Sequence, residues 1–124
     1  MPTTRRCRPY SFRPEERLKK SWEFQRVRKE GRRLSCGSFI LNLAPNGLPH
    51  HRLGLVVQKR YWKAAMRNRI KRRLREWFRY AKHTLPSPSL DIVIVARPGA
   101  ENVTSARMAD LFRECLQKGG RRMA

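Results

Sequence analysis

The sequence has few acidic residues, no long hydrophobic run and only three cysteines. Of its 124 residues, 9 are Asp or Glu and 30 are Lys or Arg, which gives a formal net charge of +21. Self-repulsion on this scale opposes compaction, so the chain is expected to bind a polyanion. The hydrophobic fraction of 40 % is still sufficient for a folded core, and the length fits one compact domain. Nucleic acid and an anionic membrane are the two classes of partner that this charge favours.

The short hydrophobic runs argue against the membrane. The longest are Leu55–Val57 and Ile92–Ala96, whereas a membrane-spanning helix needs about 20 apolar residues. The first 13 residues contain four arginines, but no apolar stretch follows them, so we predict no signal peptide. We therefore expect a cytoplasmic protein.

The sequence also offers no recognisable catalytic site. A nuclease that uses metal ions needs several converging carboxylates, but the acids here are scattered, and most lie in predicted helices as solvated residues. Asp91, which opens an apolar strand, is interpreted as an edge residue. Surface positions are expected for the histidines at 50, 51 and 83.

Cys7, Cys36 and Cys115 are widely separated and odd in number, so we expect reduced thiols, with neither a disulfide nor a zinc site.

Hydrophobic periodicity and turn residues predict an α+β fold. We expect a flexible basic arm at residues 1–13, one domain at 14–118 and a short basic tail at 119–124. The domain is a sandwich with helices packed on a small mixed sheet. The first predicted element is a helix within 14–30, which starts best at Ser21 as N-cap and ends at Gly31. Strands at 37–44 and 52–58 follow, joined as a hairpin through a turn at 45–49. The remaining elements are a helix at 64–82, a strand at 90–96 buried on both faces, and a helix capped by Thr104 or Ser105 that ends at Gly119-Gly120.

The helix at residues 64–82 has an apolar face and an opposite, basic face. The basic face holds Asn68, Arg72, Arg75 and Arg79. Between positions 67 and 79 there are seven cations and one anion. A merely solvated helix surface usually mixes charges to gain i,i+4 pairs. This face therefore favours contact with nucleic acid, because guanidinium groups suit phosphate oxygens and flat bases. Asn68 fits either a base or sugar contact or a plain surface position.

The segment KAAMRNRIKRRLRE at residues 63–76 resembles the RNR signature helix of the bacterial ribonuclease P protein family. The resemblance extends over about residues 17–116 and includes LKKSWEF at 18–24, Phe39, LGLVV at 53–57 with Lys59 and Arg60, and DIVIVAR at 91–97. It implies an α–β sandwich with a left-handed βαβ crossover. It also implies that a catalytic RNA and its bound Mg²⁺ hydrolyse precursor tRNA. The protein would then supply no catalytic residue, hold no metal ion of its own and need no obligate protein partner.

The same resemblance assigns two binding surfaces. The signature helix would bind the catalytic RNA through Arg67, Asn68, Arg69, Lys71, Arg72 and Arg75. A cleft between the sheet and the first helix would hold the single-stranded 5′ leader of precursor tRNA, with Phe24, Phe39, Lys59 and Arg60 as its residues.

Four positions depart from the family pattern. Arg28 and Asn42 stand where aromatic residues are frequent, so the cleft is expected to depend less on stacking and more on charge and hydrogen bonds. Gln58 replaces a usual serine, and Trp62 replaces a usual glycine. Trp62 is interpreted as a partly buried anchor of the loop rather than as a replacement stacking surface.

Two other functions share the basic surface. A ribosomal or assembly protein would have a similar charge, but it would not account for the signature segment followed by a buried strand. A DNA-binding protein could place the basic helix in a major groove. Against that alternative, no heptad repeat follows the helix to form a dimer, and the helix has an apolar face of its own.

Overall fold

A computed structural model describes residues 12–85 and 88–123. The expected arm at 1–13 lies outside them except for its last two residues. The helices are α1 (Ser21–Glu30), α2 (Ala64–Ala81) and α3 (Ser105–Met123); the strands are β1 (Arg32–Cys36), β2 (Phe39–Pro45), β3 (Arg52–Val56) and β4 (Leu90–Ala96); short 3₁₀ turns lie at Pro14–Glu16 and Ala100–Asn102. The predicted α+β class is confirmed.

The strands form one mixed sheet in the order β1-β2-β4-β3. β2 is antiparallel to both β1 and β4, and β3 is parallel to β4. The predicted hairpin of β2 with β3 is wrong, because β4 lies between these two strands. Instead, β3, α2 and β4 form a βαβ unit, which places α2 on one face of the sheet. The left hand that the resemblance implies for this crossover stays a prediction.

β1 was not predicted, and it forms the hairpin that the chain does contain. Leu34 pairs with Leu41, and Cys36 pairs with Phe39. Gly37 lies in the tight turn between the strands with φ of +61°, a conformation that strongly favours glycine.

The ends of α1 agree with the sequence to within one residue. Lys20 is the N-cap, so the prediction of Ser21 is wrong by one position. The carboxylate of Glu23 accepts hydrogen bonds from the backbone N–H groups of Lys19 and Lys20, at 3.0 and 2.9 Å. Gly31 ends the helix as predicted.

The start of α3 was predicted correctly and its end was not. The Oγ1 atom of Thr104 accepts a hydrogen bond from the backbone N–H of Arg107 at 3.2 Å, which confirms one of the two predicted caps. Gly119 and Gly120 do not end the helix, which continues to Met123.

The sheet carries a core on each face. The larger core lies against α2 and α3. Its residues from β2, β4 and the two helices include Phe39, Leu41, Ile92, Ile94, Ile70, Leu74, Phe78, Met108 and Phe112. The smaller core lies under α1 and contains Leu18, Val27, Ala44 and Val93. Every residue of β4 except Val95 is buried, which confirms the prediction of a strand covered on both faces.

Asp91 joins α1 to the sheet. It is fully buried in the central strand β4, so its interpretation as an edge residue is wrong. Arg52 donates to both of its carboxylate oxygens, at 2.8 and 2.7 Å, and Arg26 of α1 donates at 2.6 Å. Asn46 donates at 2.9 Å. Burial would raise the pKa of Asp91, but these hydrogen bonds hold it below its usual range.

Arg52 extends the Asp91 cluster to Glu23, a second point on α1. The two side chains form an ion pair at 3.0 Å. Burial would raise the pKa of Glu23, but the N–H groups of Lys20 and Lys19 and the charge of Arg52 lower it. Glu23 is thus buried and is not the solvated helical acid that the sequence predicted.

Cys36 and Cys115 form a disulfide between the end of β1 and α3, with their Cα atoms 6.1 Å apart. The expectation of reduced thiols is wrong for this pair. Their sequence separation of 79 hid the proximity, which depends on the unpredicted strand β1. Cys7 lies outside the described residues.

Candidate nucleic-acid interface

The basic face of α2 is open to solvent. Asn68, Arg72 and Arg75 are all exposed, while Ile70, Leu74 and Phe78 on the opposite side are buried. Among residues 12–85 and 88–123, neither Arg72 nor Arg75 forms an ion pair with an acid. The structure therefore brings these three predicted residues together with no internal carboxylate to neutralise the two arginines.

The other predicted residues of this helix lie at the borders of the basic face. Arg69 is exposed, and Lys71 is half-buried. Arg67 is also half-buried, and its Nε atom is buried without a hydrogen-bond partner in the described part of the chain. The aliphatic part of the Arg67 side chain therefore packs on the protein surface, as expected for an arginine beside the apolar face of a helix.

Arg73 and Trp62 hold α2 in position. Arg73 donates hydrogen bonds to the backbone oxygens of Glu101 and Val103, at 3.2 and 2.9 Å. Trp62 is buried, and its Nε1 donates to the carboxylate of Glu101 at 2.9 Å. This confirms Trp62 as a loop anchor. The start and the middle of α2 are thus fastened to the same short turn, which fixes the direction of the basic face.

Two acids compensate cations at the C-terminal end of α2. Glu76 pairs with Arg79 at 2.6 Å, and the buried Glu16 pairs with Lys82 at 2.9 Å. Among the described residues, the cations of α2 that pair with no acid therefore lie between Arg67 and Arg75.

A groove of about 550 Å³ lies on the other face of the sheet, beside α1. Its polar side chains are amides, cations and one hydroxyl, with no acid. The lining residues are Ser21, Phe24, Gln25, Arg28, Arg33, Ile40, Asn42, Leu55, Val56, Gln58, Val93 and Val95. Arg28, Asn42 and Gln58, three of the four departures from the family pattern, line it. The groove is thus suited to an extended anionic chain that needs hydrogen bonds as well as an apolar floor.

Phe24 is half-buried at one side of the groove and packs directly over Gly54 of β3. A Cβ atom at position 54 would lie 2.6 Å from the ring carbon Cε1 of Phe24. Glycine at this position therefore allows the ring to lie close to the strand.

Phe39 does not belong to the groove. It is fully buried on the opposite face, where its ring packs edge to face on Phe112 at 5.2 Å. Adjacent residues of a strand point to opposite faces, so Ile40 and Asn42 line the groove instead. The assignment of Phe39 to the cleft is wrong.

Lys59 and Arg60 are exposed in the turn that follows β3. They do not line the groove, but Gln58 just before them does. The Arg60 guanidinium lies 4.8 Å from the centre of the Tyr61 ring and donates to its hydroxyl at 2.7 Å. These cations lie beyond one end of the groove.

Sequence reasoning missed Arg33, Gln25 and Ser21 as groove residues. Arg33 belongs to the unpredicted strand β1, where it alternates with the buried Leu34. Ser21 and Gln25 are one helical turn apart in α1, on the side that carries Phe24. The period of the helix could have indicated these two, once Phe24 had been placed.

The histidine at position 51 has a structural contact. Its Nδ1 accepts a hydrogen bond from the backbone N–H of Leu90 at 2.9 Å. Burial and the neighbouring His50 lower the pKa of His51, which favours the neutral form that this bond requires. It is half-buried rather than a plain surface residue.

No helix within residues 12–85 and 88–123 is long and apolar enough to cross a membrane. Within the same residues, no three side chains from His, Cys, Asp and Glu converge in a way that could hold a metal ion.

Comparisons with known proteins agree with the fold and with the signature helix. The family model described as Ribonuclease P matches residues 12–120. The ribonuclease P protein component of Syntrophobacter fumaroxidans is 57 % identical over 111 residues, which cover 89 % of this chain and 93 % of that protein. The corresponding protein of Desulfosudis oleivorans is 36 % identical over 112 residues, which cover 90 % and 92 %.

Solved structures give the same result. The ribonuclease P protein of Staphylococcus aureus is similar with a TM-score of 0.73 and 31 % identity, over 84 % of this chain and 94 % of that one. The protein from Thermotoga maritima is similar with a TM-score of 0.73 and 32 % identity, over 83 % and 96 %. The chain therefore belongs to the ribonuclease P protein family.

Proposed function

We propose that this protein is the RNA-binding subunit of a cytoplasmic ribonuclease P, which removes the 5′ leader of precursor tRNA. The basic face of α2 binds the catalytic RNA, and the groove beside α1 binds the leader. One observation carries the proposal: the guanidinium groups of Arg72 and Arg75 are exposed on a rigidly anchored helix with no described acid to pair with them. A polyanion would supply the missing compensation.

The groove supports the second half of the proposal. A single-stranded leader presents phosphates and unstacked bases along one extended chain. Arg28 and Arg33 supply cations, Asn42 supplies an amide, and Phe24 supplies an aromatic ring. This mixture suits contacts that tolerate many base sequences, because charge and stacking read no particular base.

The described acids do not fit a magnesium site in the protein. Glu16, Glu23 and Asp91 are the buried ones, and each is held by a Lys or Arg side chain. We therefore propose that the Mg²⁺ needed for hydrolysis is bound mainly by the partner RNA. The protein assists by placing cations next to both RNAs, which lowers the repulsion between them.

The charge alone would also suit a ribosomal protein, and the basic helix would suit duplex DNA. Both alternatives leave the groove on the opposite side of the sheet unexplained. Co-purification tests the first alternative, since the proposed function expects a single abundant catalytic RNA and a ribosomal protein expects ribosomal RNA. Competition of leader-bearing precursor tRNA with duplex DNA at equal salt tests the second. Preference for DNA would contradict the proposal.

Reconstitution tests the proposal directly. The full chain, added to a bacterial ribonuclease P RNA at low Mg²⁺, is expected to restore cleavage of precursor tRNA at the mature 5′ end. RNA alone should cleave poorly under these conditions, because the ions must then overcome the repulsion unaided. If addition of the protein leaves the cleavage rate of the RNA unchanged, the proposed function is wrong.

Replacing Phe24 with Ala is expected to reduce the preference for leader-bearing precursor tRNA over mature tRNA. Base stacking on an aromatic ring contributes about 1–3 kcal/mol per base, so the preference should fall by roughly 5- to 150-fold. The measurement is the ratio of dissociation constants of the reconstituted complex for the two RNAs. Trp22→Ala is the matched control, because Trp22 is an exposed aromatic residue of the same helix that does not line the groove. Lower stability with an unchanged ratio would show that Phe24 only packs.

A further inference from the structure

A second basic pocket lies where the segment before α1 crosses α2. It has a volume of about 520 Å³. Four of its seven lining residues are arginines, and they come from two separate parts of the chain. The lining residues are Phe12, Arg17, Asn68, Arg72, Arg75, Glu76 and Arg79. Arg17 is the arginine of this pocket that does not belong to α2.

Local contacts fix the position of Arg17. Its backbone forms a parallel bridge with Leu53 at the outer side of β3. Its guanidinium lies 4.5 Å from the centre of the Phe12 ring, and one of its nitrogens donates to the Phe12 backbone oxygen at 3.4 Å. The Phe12 ring in turn packs edge to face on the buried Phe78 at 5.4 Å. The guanidinium group is therefore oriented before any ligand binds, which reduces the entropy lost on binding.

The charges in this pocket are not balanced by its own acid. Glu76 is the single carboxylate among the lining residues, and Arg79 binds it at 2.6 Å. Arg17, Arg72 and Arg75 have no acid within ion-pair distance among the described residues. Partial loss of solvent around its guanidinium lowers the pKa of Arg75, and the charge of Arg17 lowers it further. Both guanidinium groups line the same pocket, so two like charges face it without an acid between them.

We propose that this pocket binds a backbone phosphate group of the partner RNA, with Arg17 and Arg75 as its cationic donors. Arg72 and Asn68 lie beside it and can donate to the adjacent phosphate or sugar hydroxyl. The inference rests on the proposed function, since it takes α2 as the RNA-binding helix. It adds that the RNA backbone is held by two protein elements at one point, which fixes the register of the RNA on α2.

Phosphate interference tests the pocket in the complex of full chain and ribonuclease P RNA. Ethylation of a single RNA phosphate removes its charge, so ethylation at the bound phosphate should weaken binding to the unmodified protein. We expect one RNA position at which ethylation weakens binding to the natural protein but no longer weakens binding to Arg17→Gln. Ethylation at the same position should also have no effect on binding to Arg75→Gln. Each variant should bind the RNA roughly tenfold more weakly. The plot of log affinity against log salt concentration should become less steep, with the magnitude of its slope smaller by about 0.7–0.9.

Control variants separate this inference from general charge and from folding. Arg107→Gln removes the same charge from an exposed position on α3 and should leave the interference pattern unchanged. Arg17→Lys keeps the charge and should retain most of the salt slope. If Arg17→Gln does not fold, Arg17→Lys still tests the pocket, because loss of the planar fork should weaken interference at the same position.

Failure of the inference and failure of the proposed function give different results. If Arg75→Gln changes the pattern and Arg17→Gln behaves like Arg107→Gln, the pocket is not a phosphate site and α2 remains the RNA-binding helix. If the two variants lose different positions, the shared phosphate is also excluded. If neither variant differs from Arg107→Gln, α2 itself does not bind the RNA.

A probe without RNA gives an independent measurement. Inorganic phosphate should raise the thermal unfolding midpoint of the free protein more than chloride at equal ionic strength, because it neutralises the repulsion between Arg17 and Arg75. This difference should be lost in Arg17→Gln and kept in Arg107→Gln. An equal difference in all three proteins would contradict specific binding in the pocket.

Discussion

Replacing Asp91 with Ala is expected to lower the free energy of unfolding by about 3–5 kcal/mol, the range for removing one member of a buried ion pair. The carboxylate is fully buried and receives hydrogen bonds from Arg26, Arg52 and Asn46. Without it, two guanidinium groups are left beside each other in the partly buried end of the sheet. Because Arg26 belongs to α1 and Arg52 to β3, this loss also loosens the wall of the groove.

Urea unfolding of the free protein measures this effect. Asp110→Ala is the control, because Asp110 forms an exposed ion pair with Arg113, and such pairs contribute a few tenths of a kcal/mol. A double-mutant cycle with Arg26→Ala should show strong coupling, since the second substitution removes one of the stranded charges. If Asp91→Ala costs no more than Asp110→Ala, the buried cluster does not hold α1 to the sheet.

Protonation of the same carboxylate should lower the stability of the fold at acid pH. The pKa of Asp91 is depressed in the folded protein. The contribution of Asp91 to the free energy of unfolding is therefore fully present at any pH above its pKa in the unfolded chain, which is about 3.9. This contribution is lost as the pH falls through the pKa of Asp91 in the folded protein. The difference in stability between the natural protein and Asp91→Asn should therefore be constant near neutral pH and shrink below about pH 4. A difference that grows on acidification would contradict this assignment.

The sequence predicts best where a single element carries its own signal. The period of 3.6 residues in α2 placed Ile70, Leu74 and Phe78 in the core and Arg72 and Arg75 in solvent. The continuous apolar run of β4 predicted a strand covered on both faces. In both cases the pattern is local, and one face or one run is enough to determine burial.

Prediction failed where the outcome depends on distant partners. β1 contains only Leu34 and Cys36 as apolar residues, and its pairing with β2 supplies the rest of its stability. The turn at residues 45–49 suggested a hairpin, but nothing in that turn could show that β4 would be inserted beside β2. The position of β4 also decides that Asp91 is central rather than at an edge.

The groove shows the same limit at the level of single side chains. Phe39 was assigned to the cleft through the resemblance, which did not say which face of β2 lies towards α1, and adjacent residues of a strand point to opposite faces. Arg17 was missed for a related reason. Its approach to Arg75 depends on the bridge between Arg17 and Leu53, which joins segments far apart in the chain.

The RNA-binding face of α2 allows a prediction with an effect as large as that of Asp91. Replacing both Arg72 and Arg75 with Ala should weaken binding of ribonuclease P RNA by roughly a hundredfold, since a hydrogen bond to a charged group contributes about 1.5–3 kcal/mol. The plot of log affinity against log salt concentration should become less steep, with the magnitude of its slope smaller by about 1.4–1.8 because two phosphate contacts are lost. The fold should be retained, because both side chains are exposed and alanine has the highest helix propensity.

The matched control for this double variant is Arg107→Ala with Arg113→Ala. It removes two positive charges from exposed positions on α3, which packs against the side of α2 that carries Trp77. General attraction between a protein of charge +21 and RNA predicts equal losses for the two double variants. A docking face on α2 predicts a large loss and a flatter salt dependence for the α2 variant alone. Equal affinities and equal slopes would therefore show that the RNA is held by net charge rather than by this helix.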